Sequence, residues 1–181
     1  MLNATIFLIL HCYGGKHPEH WQAYLVNHLK TEGQTVLFPD LPNPDHPQLD
    51  EWMEYLENKL RKVNPDTLVV AGHSLGCSLW LHYVARHPDV RPKKVFLVSP
   101  PLNDCGIAEI ANFFPLPILD LSKQDYLLIG SDNDNFILEE EFETLANNLK
   151  IPFKILPGAG HINAPMHGDW DWMNQECLKL I

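Results

Sequence analysis

Six short runs of aliphatic and β-branched residues, at 5–10, 35–38, 67–71, 94–99, 125–129 and 153–156, punctuate this chain. Longer stretches of helical period separate or follow most of them, at 19–30, 49–63, 75–86, 138–149 and 170–180. A strand that rejoins its sheet in parallel needs a crossover of a dozen or more residues, usually a helix. The alternation therefore predicts a doubly wound, mostly parallel sheet of about six strands with helices on both faces. Such sheets bind ligands beyond the carboxyl ends of their strands, where the glycine-bearing polar segments of this chain fall. The interval 100–124 is short and carries little helical pattern. The proline-rich pieces at 39–44 and 112–117 read as extended surface loops.

The third apolar run ends in Gly72-His73-Ser74-Leu75-Gly76, and an amphipathic stretch begins at once. G-x-S-x-G between a strand and a helix is the pattern of a nucleophile elbow, a sharp turn that exposes a serine hydroxyl. That hydroxyl is a weak nucleophile until a base takes its proton. The fifth run leads into Gly130-Ser131-Asp132-Asn133-Asp134 and the sixth into Pro157-Gly158-Ala159-Gly160-His161. The chain order serine, aspartate, histidine is that of α/β-hydrolases. His161 is then the candidate base, and an aspartate its orienting partner; Asp132 and Asp134 both lie in the right loop. An oxyanion needs N–H donors. The backbone of Leu75 is the first candidate, and the loop His11-Cys12-Tyr13-Gly14-Gly15 supplies the second, Tyr13 ahead of Cys12. Trp21, Phe113 and Phe114, with Tyr13, Leu116 and Ile118, either wall the acyl site or anchor their loops to the core.

The 181 residues suit a single domain, 1–181. Thirteen Lys and Arg against twenty-three Asp and Glu give a net charge of −10, which repels nucleic acid and anionic membrane surfaces. The apolar run 6–10 lacks a basic flank and is too short for a signal peptide, and no stretch has the length of a membrane span. A cytoplasmic location is expected. Cys12, Cys77, Cys105 and Cys177 form no C-x-x-C pair and are expected to be free thiols. The ten histidines show no helical metal-ligand spacing, so neither metal nor cofactor is expected.

The constellation resembles the small serine hydrolases that group the bacterial YdeN proteins with relatives of retinoblastoma-binding protein 9. The resemblance spans nearly the whole chain. It rests on His20-Trp21 after the first-strand loop, Pro39-Asp40-Leu41-Pro42-Asn43-Pro44 leading to Glu51-Trp52, the elbow, Gly130-Ser131-Asp132-Asn133-Asp134, and Gly160-His161. It implies a compact α/β-hydrolase fold without a large lid, acting on a small-molecule substrate. In that family the triad aspartate precedes a proline and an apolar residue. Asp134 before Asn135-Phe136 occupies that place with asparagine for proline, which favours Asp134 over Asp132. Cys12 departs from the glycine of relatives. An L-x-C-x-E retinoblastoma-docking peptide is absent; the nearest string, Leu75-Gly76-Cys77-Ser78-Leu79, lacks the glutamate. The expected reaction is hydrolysis of small or short-acyl esters or thioesters. Peptidase or amidase action on the same triad, or a catalytically weak binding module, are the alternatives.

Overall fold

The computed structural model describes residues 4–102, 106–163 and 167–181. In chain order the elements are β1 (Ile6–Leu10), α1 (Trp21–Thr31), β2 (Thr35–Leu37), α2 (Leu49–Leu60), β3 (Leu68–His73), α3 (Leu75–Arg86), β4 (Lys94–Val98), β5 (Tyr126–Ser131), α4 (Glu139–Leu149), β6 (Phe153–Leu156) and α5 (Asp171–Leu178). The strands form one sheet, ordered β2-β1-β3-β4-β5-β6, and every pairing is parallel.

Successive strand side chains point to opposite faces, and each face here meets helices. Phe7 and Ile9 of β1 join Trp21 and Leu25 of α1 and Met173 of α5 in one core. Leu8 and Leu10 join Trp52 and Leu56 of α2 and Phe142 of α4 in the other. Covering both faces is why the central strands read as continuous apolar runs rather than as alternating ones.

The winding reverses at β1, which has β2 on one side and β3 on the other. The loops leaving β1 and β3 therefore diverge and open a crevice at the carboxyl edge. Register places Leu10 opposite Gly72, so the 11–15 loop and the elbow are neighbours.

Most boundaries shift by a residue or more from those marked in the sequence, and three of the shifts have a clear local cause. β3 continues to His73 because Gly72 and His73 still pair with Leu97 and Val98 of β4, carrying the strand up to Ser74. α2 stops at Leu60, and the N–H of Val63 closes a turn on the Leu60 carbonyl at 2.9 Å. Asn64 ahead of Pro65 is extended, as a residue preceding proline tends to be. α1 begins at Trp21, with His20 as its cap: the Gln22 N–H donates to His20 Nδ1 at 3.3 Å. Within 100–124 the described helix is the short 3-10 segment Ala108–Phe113. Among the described residues no helix is long and apolar enough to cross a membrane. Cys12, Cys77 and Cys177 are free thiols, and Cys105 lies outside the described residues.

Gly76 lets the first turn of α3 touch the end of β1. A Cβ added there would run into the carbonyl oxygens of Leu10 and His11, the latter at 2.8 Å. These are backbone atoms of a central strand end and cannot swing aside. Gly76→Ala is expected to destabilise the fold by about 1–3 kcal/mol, the usual cost of overpacking, read as a lower urea midpoint. An unchanged midpoint would show that the two segments separate freely.

Candidate active site

Ser74 sits at φ 51°, ψ −119°, a conformation a non-glycine residue adopts only where its surroundings impose it. Its N–H donates to the Val98 carbonyl at 2.9 Å and its carbonyl accepts from the Cys77 N–H at 2.9 Å. A Cβ on Gly72 would lie 3.1 Å from the backbone of Gly76 and Cys77, so the two glycines let strand and helix converge on the serine. Ser74 opens into a cavity of about 410 Å³ that Tyr13, Ile110, Phe136 and His161 also line. Leu75 is the first residue of α3, where the N–H groups have no partner inside the helix and the helix dipole is positive.

His161 Nδ1 lies 2.9 Å and 3.0 Å from the two carboxylate oxygens of Asp134. Asp134 is buried, and its Oδ1 also accepts the Phe136 N–H at 2.9 Å. That turn aims the carboxylate without the proline expected at position 135. Asp132 points elsewhere, accepting the Gly158 N–H at 2.7 Å. A carboxylate on Nδ1 keeps the ring proton there and leaves the lone pair on Nε2. Phe136 meets the imidazole edge to face at 4.5 Å.

Two more histidines continue the row behind His161. The ring centroids of His73 and His161 are 5.0 Å apart, and those of His20 and His73 are 4.5 Å apart. His73 Nε2 donates to the His161 carbonyl at 2.8 Å, because a carbonyl can only accept. Burial, then the neighbouring His20 and His161, holds His73 well below the ordinary histidine range. Burial likewise pushes His20 down to about 3. Both rings are neutral at pH 7, so an imidazolium on His161 does not face two further positive charges.

The 11–15 loop is tied to the proline-rich 39–44 segment. His11 donates from Nδ1 to the Cys12 carbonyl at 2.8 Å and accepts the Leu41 N–H at Nε2 at 3.1 Å. Gly14 N–H donates to the Pro44 carbonyl at 2.9 Å and Gly15 N–H to the Cys12 carbonyl at 3.2 Å. With those two donors engaged, the Cys12 and Tyr13 amides are the candidates this loop offers an oxyanion, and both residues line the cavity. Burial pushes the Cys12 thiol up to about 11, so Cys12 lines the cavity with Ser74 as a neutral group.

The wall expected from Trp21, Phe113 and Phe114 is built from other residues. Trp21 is buried against Trp170 at 5.5 Å in the core under α1. Phe113 is buried edge-on to Trp52 at 5.2 Å. Phe114 lines a separate groove with Leu116 and Ile118. The helical spacing of Trp21 with Leu25 and Leu29 aims all three at the sheet, and Phe113 is drawn inward because His82 holds its carbonyl at 2.8 Å. Pro18, Pro101, Ile107, Ile110 and Phe136 take their place. Ile107 and Ile110 are three apart at a 3-10 segment, whose side chains eclipse at that interval. That spacing and the position of Phe136 two residues past Asp134 were the available signals. The described residues hold no group of three or more His, Cys, Asp or Glu placed to bind a metal.

A family model for serine hydrolases matches residues 7–178. The chain belongs to the serine hydrolase family. In sequence this serine hydrolase is similar to the candidate hydrolase YdeN of Bacillus subtilis (strain 168), at 32% identity over 76 residues, 42% of this chain and 40% of that protein's length. In structure it is similar to the crystallised ydeN gene product from B. subtilis, with a TM-score of 0.79, 16% identity and 98% of each chain covered. A YdeN-like hydrolase from Pectobacterium atrosepticum gives a TM-score of 0.78 at 19% identity, covering 98% of this chain and 90% of that one. Est1E from Butyrivibrio proteoclasticus with bound ferulic acid gives 0.73 at 15% identity, covering 98% and 90%. The family model and the sequence match carry the YdeN side of the resemblance, and the structural matches show that the chain shares the fold of these proteins.

Three buried neutral histidines, His11, His20 and His73, tie the hydrolase's stability to pH. Their folded affinity for protons lies below that of the unfolded chain, near the ordinary 6.5, so the unfolded state binds more protons on acidification. Stability is whole above about pH 6.5 and falls below it, with a slope approaching about 1.4 kcal/mol per pH unit for each histidine. Urea unfolding between pH 7.5 and 5 should show this. His20→Asn, which keeps a good helix cap, should remove one histidine's share of the slope. An unaltered slope in that variant would mean that His20 is protonated in the folded state.

Proposed function

We propose that this enzyme hydrolyses small or short-acyl esters or thioesters through Ser74, His161 and Asp134 by way of an acyl-enzyme. The observation that carries the reading is the His161–Asp134 contact at 2.9 Å in the wall of the cavity that Ser74 opens into. His161 Nε2 takes the Ser74 proton as Oγ bonds to the substrate carbonyl carbon, while Asp134 holds the tautomer and stabilises the imidazolium. The carbonyl electron pair moves onto oxygen, facing the N–H groups of Leu75 and Tyr13. As the tetrahedral intermediate collapses, the alcohol or thiol leaves with the proton from His161. Water, deprotonated by the same nitrogen, then releases the acid and restores Ser74.

The cavity supports the substrate class. Its volume of about 410 Å³ lies in the range of small-molecule sites, and Ile107, Ile110 and Phe136 give an acyl chain apolar neighbours. The net charge of −10 disfavours polyanionic substrates.

A fluorophosphonate should label Ser74 in the intact protein and nothing in Ser74→Ala, with the modified residue located by mass spectrometry. With p-nitrophenyl acetate, Ser74→Ala and His161→Ala should abolish turnover. Asp134→Asn should lower kcat by about a thousandfold or more, through the wrong imidazole tautomer. The wild-type kcat/KM should rise with pH to a plateau as the base loses its proton. Well-folded protein that resists labelling would refute an activated serine and leave a binding module.

A further inference from the structure

β5 and β6 end in register, with Ser131 opposite Leu156. Beyond that rung the second chain turns through left-handed backbone at Gly158 (φ 63°), Gly160 (φ 57°) and Ile162 (φ 49°), so the parallel ladder cannot continue. Backbone N–H groups at such a strand end must find other acceptors. Three of them find acceptors in the consecutive side chains of Ser131, at the end of β5, and of Asp132 and Asn133 in the loop that follows, and a fourth contact between the two segments joins side chain to side chain. The Ala159 N–H donates to Ser131 Oγ at 2.9 Å, the Gly158 N–H to Asp132 Oδ1 at 2.7 Å, and the Gly160 N–H to Asn133 Oδ1 at 2.7 Å. The fourth contact is His161 Nδ1 to Asp134.

The middle contact is the most enclosed. Ser131 and Ala159 are buried, whereas Asp132 and Asn133 are exposed. A hydroxyl that accepts from Ala159 still has one proton to give, and Ser131 Oγ lies 2.9 Å from the Leu156 carbonyl and 2.8 Å from Asn133 Oδ1. Ser131, the last residue of β5, thus joins the last residue of β6, the side chain two positions further along its own segment and the residue two before His161.

We propose that Ser131, Asp132 and Asn133 are positioning residues, a side-chain clamp that fixes the three backbone positions ahead of His161 and so sets its imidazole against Asp134 and Ser74. The proposal rests on the reading of His161 as the base. It assigns Asp132 a part that needs an acceptor oxygen and no charge, which distinguishes it from Asp134. Misplacing a reacting group by about 1 Å costs on the order of a hundredfold, and kcat carries the loss because the acyl pocket is left in place.

The test measures kcat, KM and the pH dependence of kcat/KM on p-nitrophenyl acetate. Ser131→Ala is expected to lower kcat roughly ten- to a hundredfold with KM within about twofold. Asp132→Ala and Asn133→Ala, at exposed contacts, should lose about three- to tenfold, while Asp132→Asn, which keeps the acceptor, stays within about twofold of wild type. The midpoint of the pH profile should move in Ser131→Ala and not in Asp132→Asn. In an Asp134→Asn background Ser131→Ala should cost much less than it does alone, because residues acting through one imidazole are not additive. If Ser131→Ala fails to fold, the exposed pair of Asp132 variants decides. Asp132→Ala and Asn133→Ala at wild-type kcat would overturn the clamp, as would an Asp132→Asn loss equal to that of Asp132→Ala. Retention of activity by Ser74→Ala or His161→Ala would instead overturn the reading on which the clamp rests.

Discussion

The positive φ of Ser74 is the constraint on which the rest of the structure depends. A serine does not hold that conformation unaided. It is imposed from both sides, by the Ser74 amide bonded to the end of β4 and by α3 starting immediately afterwards. Both depend on backbone approaches that only glycine allows: Gly72 against the first turn of the helix, and Gly76 against the carbonyls that end β1. The doubly wound sheet supplies the platform, since β1, β3 and β4 are adjacent and release their chains at the same edge. The elbow is therefore a property of three strands rather than of five residues.

Opposite the elbow, acid and base arrive on the last two strands, and no helix holds either. Asp134 and His161 follow β5 and β6 on turning loops, where the backbone has few partners of its own. Side-chain acceptors replace the missing ladder, and the Phe136 amide orients Asp134 in turn. The 11–15 loop is fastened in the same manner, by His11 and by the proline-rich segment that faces it. An extended proline segment has free carbonyls to offer, and Pro44 and Pro42 use theirs on Gly14 and on the Trp52 indole, the latter at 2.6 Å.

Charge is kept sparse around the nucleophile. His20 and His73 are neutral through burial, the Cys12 thiol is held protonated, and Asp134 is the carboxylate that touches the imidazole. In an apolar setting a charge acts at short range with little screening, which lets the Asp134 carboxylate act on the imidazole it touches. The cost falls on stability in acid, where the unfolded chain protonates histidines that the folded one cannot.

Local period and spacing determined much of this protein before any tertiary contact was known. Helices follow from a side-chain period of 3.6, and strands from short continuous apolar runs, because both faces of a parallel sheet are covered. The elbow was legible because Gly72, Ser74 and Gly76 answer to one turn, and the serine–aspartate–histidine order because each residue follows the end of its own strand within a few positions. What the sequence could not decide was direction. Asp132 and Asp134 are equivalent as letters, and only the bonds each loop makes across 26 or 27 positions send one to Gly158 and the other to His161. Trp21 and Phe113 look as fit for a substrate wall as Ile107 and Ile110, yet the sheet and Trp52 claim the aromatic pair. Packing settled those choices, because which neighbour a side chain meets depends on segments far away in the chain.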